Sequence, residues 1–155
     1  MERAGSRLGG AGARGLRQGV SEPHVDLARR FVTAYNARDA DAMAELCSDS
    51  YEFQSTFVAV EGRTYRGRDA MRGYFADLAE GWEVFQLENV EYLDAGDHVL
   101  CLFNVRARGR SSGAELDPEL TTVLSFSEGE IVRIQAFQDR AEGYVVSGFP
   151  QPDRG

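Results

Sequence analysis

Apolar and polar residues alternate with period two through most of the stretch from Asp97 to Asp139, which predicts three long strands in a row. Val99, Cys101, Phe103, Val105 and Ala107 share one parity, and Asn104, Arg106 and Arg108 occupy the other, as in a strand with one buried face. After a turn rich in Gly, Ser, Asp and Pro, Leu120, Thr122, Leu124 and Phe126 repeat the alternation. Ser127 to Glu130 form a Gly-containing hairpin turn, and Ile131 to Phe137 supply the third strand. Hairpin-linked strands make an antiparallel sheet, one face of which needs an apolar cover.

The preceding residues supply that cover at helical spacing. Ser21 to His24 open a first helix, with Ser21 as N-cap and Pro23 tolerated in the first turn. Leu27, Phe31, Ala34, Tyr35 and Arg38 fall on its inward stripe. Asp39 or Asp41 caps a shorter second helix through Cys47, with Met43, Leu46 and Cys47 inward. Tyr51 to Val60 then alternates as a strand, with Tyr51, Phe53, Ser55 and Phe57 against Glu52, Gln54, Thr56 and Val58, and Glu61 to Arg68 read as a loop. A third helix from about Asp69 to Glu80 carries Met71, Tyr74, Phe75 and Leu78 on one face and stops at Gly81. Trp82 to Asp94 predict another strand, Asp94 to Asp97 a turn, and Arg140 to Ser147 a short closing helix. The order defines an α+β fold: a cone-shaped, curved antiparallel sheet covered by three N-terminal helices, with a ligand pocket between the layers.

Composition narrows the partners. The formal charge is −8; residues 1–20 hold four arginines against one glutamate, +3, which leaves −11 on the rest. So acidic a body is repelled by phosphates and anionic lipid, so neither nucleic acid nor membrane is an expected partner. No apolar run reaches the ~18 residues of a membrane span, and the N-terminal arginines precede no apolar core of a signal peptide. Residues 1–20, with six glycines and no apolar periodicity, are predicted to be a disordered tail. A single domain is predicted over 21–150, and 151–155 form a second short tail. Cys47 and Cys101 lack any CxxC spacing and read as buried thiols of a cytoplasmic protein. All seventeen basic residues are arginine, which reflects base composition and carries no functional reading.

Four segments resemble the SnoaL-like polyketide cyclase family, within the superfamily of nuclear transport factor two and ketosteroid isomerase. They are Phe31 to Met43, Tyr65 to Phe75, Leu93 to Val99 and Gly129 to Glu142, and the likeness covers roughly residues 24–149. It implies the nuclear transport factor two-like, cystatin-type α+β barrel. It says little about activity, since one fold hosts many. A ketosteroid isomerase needs a carboxylate base with a tyrosine and a protonated aspartate as donors. Matching the motifs puts Ser55 at the base position, Phe31 at the tyrosine position and Thr122 at about the aspartate position, so that design is absent. An epoxide hydrolase of the limonene type would need an Asp–Arg–Asp relay; its last aspartate would fall near Ala136, and Leu102 to Arg106 stand where Arg-x-Asp is required. The family's cyclase would need an aspartate or histidine on the pocket side of the sheet, where Thr122 and Gln138 stand instead. His24 and His98 are isolated and read as surface residues, so no metal or other cofactor is expected. GxSxG, the P-loop and GxGxxG are all absent.

The remaining candidates are lining residues: Phe31 and Tyr35 from the first helix, Phe53, Ser55 and Phe57 from the first strand, Tyr74 and Phe75 from the third helix, and Trp82, Thr122 and Gln138. Tyr35 ranks first, because a buried phenol needs a partner and can donate to a ligand carbonyl. Asp139 ranks below them, as it also fits a cap for the closing helix. Two readings stay open. One is a cofactor-free pocket protein for a compact, mostly apolar ligand with a polar handle, able to catalyse a cyclisation, isomerisation or dehydration. The other is a non-catalytic ligand-binding or dimerisation module. Leu100 and Leu102 on the outward parity predict an exposed sheet face and a homodimer, which the resemblance also implies.

Overall fold

The three predicted long strands form the middle of a seven-stranded sheet. The computed structural model describes residues 22–55 and 63–151. Its elements run α1 (Glu22–Ala37), α2 (Ala40–Leu46), β1 (Cys47–Ser55), β2 (Thr64–Arg66), α3 (Ala70–Gly81), β3 (Trp82–Asp94), β4 (His98–Gly109), β5 (Glu115–Leu116), β6 (Glu119–Ser127), β7 (Glu130–Phe137) and α4 (Arg140–Ser147). The order across the sheet is β2-β1-β7-β6-β4-β3, with β5 added beside β4, so the curved sheet is open at β2 and β3. The tail predicted for residues 1–20, the Ser21 cap, the strand predicted over 56–60 and residues 152–155 lie outside the described residues.

Local chemistry explains most boundaries. Asp39 caps α2 by accepting the Ala42 N–H at 3.0 Å, and Asp139 caps α4 by accepting that of Ala141 at 2.8 Å. The β6–β7 turn places Glu128 and Gly129 at φ 52 and 80, the left-handed pair of a two-residue type I′ hairpin. Three expectations need correction. The loop predicted over 61–68 contains β2, which pairs antiparallel with β1 through Phe53 and Tyr65. The sheet is mixed, because β1 runs parallel to β7. Leu100 and Leu102 are 0% and 4% exposed, since α4 lays Tyr144 over them with Val123 and Phe137. Gly143 permits that approach: a Cβ there would lie 2.3 Å from Thr121 Cγ2 and 2.9 Å from Leu100 Cδ1.

The opposite face holds the main core. Val99, Cys101, Phe103, Val105 and Ala107 are all buried there beneath α1, α2 and α3, as their parity predicts. α1 also shields the sheet edge at β3. The Asn36 side chain donates to Leu87 O and accepts from Leu87 N–H, both at 3.0 Å, as a neighbouring strand would. Arg38 donates to Phe85 O, and Arg110 Nη2 to Trp82 O at 3.2 Å. His24, expected on the surface, is half-buried, stacked on Phe126 at 4.3 Å and bonded to Gly96 O at 2.8 Å.

Candidate functional site

A cavity of about 30 Å³ lies between α1, α3 and the inner face of the sheet. Phe31 and Tyr35 reach it from α1, Phe53 from β1, Tyr74 from α3 and Thr122 from β6, so five predicted residues converge. Phe85, Leu87, Phe103, Leu120, Ile134, Ala136 and Phe137 complete an apolar wall with Thr121. Parity had already turned Phe103 and Leu120 inward; the part played by Phe85 and Leu87 depends on how β3 curls over α1, which strand periodicity does not encode.

Tyr35 and Tyr74, which both line this cavity, join hydroxyl to hydroxyl at 2.6 Å. Both residues are buried, at 4% and 2% exposure. Burial pushes the Tyr35 phenol up to about 12, opposed by the Tyr74 hydrogen bond and the Arg38 charge. Burial likewise raises Tyr74 well above the usual range, helped by Tyr35. Both phenols are therefore neutral near pH 7, and a neutral phenol donates. One hydroxyl spends its proton on the other, which leaves one proton of the two for a ligand oxygen. Aromatic rings hold the hydroxyls in place: Phe75 meets Tyr35 edge-on at 5.5 Å, and Phe53 and Tyr65 pack on Tyr74 at 4.5 and 5.7 Å.

Of the other candidates, Phe75, Trp82, Gln138 and Asp139 fall outside the lining. Phe75 supports Tyr35 from behind, and Trp82, half-buried, stacks edge-on against Phe85 at 5.6 Å, one residue removed from the cavity. Ser55 ends β1 opposite Ala136. Phe57 lies outside the described residues. Gln138 is exposed: β7 ends at Phe137 and the chain turns toward α4, so the strand parity that pointed it inward no longer applies. Asp139 is the α4 cap and not a pocket group. Among the described residues no carboxylate and no imidazole lines the cavity, and no group of three or more His, Cys, Asp or Glu is placed to hold a metal. No described helix is long and apolar enough to cross a membrane.

Four helices on a curved, open sheet make the α+β fold of nuclear transport factor two-like and cystatin-like proteins. The SnoaL-like domain family matches residues 28–134, and the chain belongs to it. Solved structures with this fold include a nuclear transport factor two-like protein of unknown function from Burkholderia pseudomallei, with TM-score 0.69 and 16% identity over 80% of this chain and 96% of that one. TerC, co-crystallised with polyporic acid, superposes at TM-score 0.68 and 13% identity, covering 82% and 99%. A ketosteroid isomerase-like protein from Catenulispora acidiphila, in complex with trimethylamine, does so at 0.65 and 18%, covering 82% and 98%. No curated protein sequence matches the chain at a significant level.

Proposed function

We propose that this chain is a cofactor-free pocket protein for a compact, mostly apolar molecule whose carbonyl or hydroxyl oxygen accepts a hydrogen bond from the Tyr35–Tyr74 hydroxyls. The carrying observation is that linked pair, a buried bond between two residues that line a largely aromatic and aliphatic cavity. A neutral donor in a dry site holds a ligand oxygen and stabilises negative charge that builds on it, which suits cyclisation or isomerisation through an enol. The free volume is far below the ~150 Å³ that holds a benzene, so ligand entry requires the aromatic walls to turn. TerC, a structural neighbour with this fold, is co-crystallised with polyporic acid, which supports a small-molecule ligand.

The second reading, a non-catalytic binding module, is favoured by a lining without any described acid–base group. Melting and calorimetry with compact ketones such as 2-cyclohexenone and 1-indanone, together with NMR of deuterium exchange at their α-carbons, separate the readings. Stabilisation with exchange faster than in buffer marks an enzyme, and stabilisation without it a binding module. No stabilisation by any member of the set overturns the ligand site. A cytoplasmic location is part of the proposal, consistent with two buried, unbridged cysteines. So is a homodimer, through the part of the outer sheet face that α4 leaves open, where Arg106 and Arg108 stand among Glu83, Glu88 and Glu115.

A further inference from the structure

Arg38 follows α1 with φ 57, a left-handed backbone that glycine or asparagine adopts at little cost and arginine does not. A residue held in a disfavoured conformation calls for a compensating role of its side chain. The guanidinium donates to Tyr35 O at 2.8 Å and to Phe85 O, and its carbon lies 5.4 Å from the Tyr35 ring centre and 5.6 Å from that of Phe75. Tyr35 and Phe85 both line the cavity. Among the described residues, no carboxylate lies within ion-pair distance of Arg38. Neighbouring Asp39 turns to cap α2, and Asp77, beyond Tyr74, is bonded by Tyr65 at 2.6 Å and Arg63 at 2.8 Å. Among the described residues, the titratable groups that feel the Arg38 charge are the phenols of Tyr35 and Tyr74.

Resting on the ligand site proposed above, we propose that Arg38 is its positioning residue. Its guanidinium packs over the Tyr35 and Phe75 rings and brings to the lining a positive charge that no described carboxylate pairs, so the pocket favours ligands bound as phenolates or enolates, whose oxygen carries negative charge, over neutral ketones. Burial acts in the opposite sense on the tyrosines themselves and keeps them protonated, so they remain donors. The negative charge that Arg38 compensates is then the one on the oxygen they donate to.

The test uses 4-nitrophenol, whose absorbance reports ionisation, bound to the full chain and to Arg38→Met and Arg38→Gly. Glycine suits φ 57, so the second variant keeps the turn while deleting the side chain. An opposite charge a few ångströms away lowers the pKa of an acid by a unit or more. The bound probe should therefore ionise about one pH unit lower in the native chain than in either variant, about a tenfold larger ionisation constant. A residue that only braces the fold would change melting or affinity and leave the ionisation of bound probe alone. Equal ionisation in all three chains overturns the role given to Arg38 while leaving the pocket standing. Failure of the native chain to bind the probe while it binds the ketones overturns the Arg38 role, and failure to bind either overturns the pocket as well.

Discussion

A phenol removed from water needs a partner, and Tyr35 finds its own in Tyr74, on a helix 39 residues further along the chain. The same burial that makes this bond necessary sets a pH limit on the fold. Tyr35, Cys47 and Cys101 are each pushed up to about 12, chiefly by burial, and burial also raises Tyr74 well above its usual range. A folded pKa above the unfolded value favours the protonated native state, so the contribution is fully present below the unfolded pKa and is lost as pH rises toward the folded one. The expected window runs from about pH 9, where unfolded thiols ionise, to about 12. Urea midpoints measured across it should fall steadily. Cys101→Ala should flatten the early part of the decline and Tyr35→Phe the later part; midpoints independent of pH up to 11 would contradict this. The lining residues Phe31, Tyr35, Phe53 and Thr122 were legible in the sequence because parity or helical spacing alone turns them inward. The Tyr35–Tyr74 bond was not, since it depends on how α1 and α3 cross. Gln138 misled because strand parity stops where the strand does.

At the scale of elements, long periodic segments were the legible ones. β3 at Trp82–Asp94 and α4 at Arg140–Ser147 fall where the pattern puts them, while β2 and β5, three and two residues long, have no period to read. The parallel β1–β7 pairing joins strands far apart in sequence and leaves no local mark. α4 hid a different kind of information: its fit depends on Gly143, a residue that helix propensity disfavours by about 1 kcal/mol relative to alanine. Gly143→Ala would drive its methyl into Thr121 and Leu100, backed by sheet. We expect a net loss of about 2 kcal/mol in denaturant unfolding, because the overpacking exceeds the propensity gain. An unchanged or increased stability would show that α4 can lift off β6 freely. That result would also remove the reason Leu100 and Leu102 are covered.

At the scale of the whole molecule, α4 changes what the outer sheet face can do. The two leucines that predicted an apolar dimer surface are spent inside the protomer, and the open remainder carries arginines 41–59% exposed in their side chains beside glutamates. Mixed charges on one patch pair with a copy of themselves across a two-fold axis, and such pairing is screened by salt. Light scattering at tens of micromolar should therefore give a dimer at low ionic strength that weakens in about 0.5 M salt; a monomer at every ionic strength would sink this association. Fold class and layer order follow from the pattern of the whole chain, and the SnoaL-like match over residues 28–134 agrees with them. Activity does not follow, because the same cone holds many chemistries and only its lining distinguishes them.

The proposed site stands or falls on whether the Tyr35 hydroxyl meets a ligand, and one paired titration asks that directly. Native chain and Tyr35→Phe, both checked for melting, are titrated calorimetrically with 1-indanone. The ring is conserved and one hydroxyl is removed, so Tyr35→Phe should stay folded with a loss of about 1 kcal/mol from the broken bond to Tyr74. Its affinity should fall roughly tenfold, the equivalent of one hydrogen bond of about 1.4 kcal/mol. Stability lost with affinity unchanged would make the two tyrosines a core contact alone and contradict the proposed site.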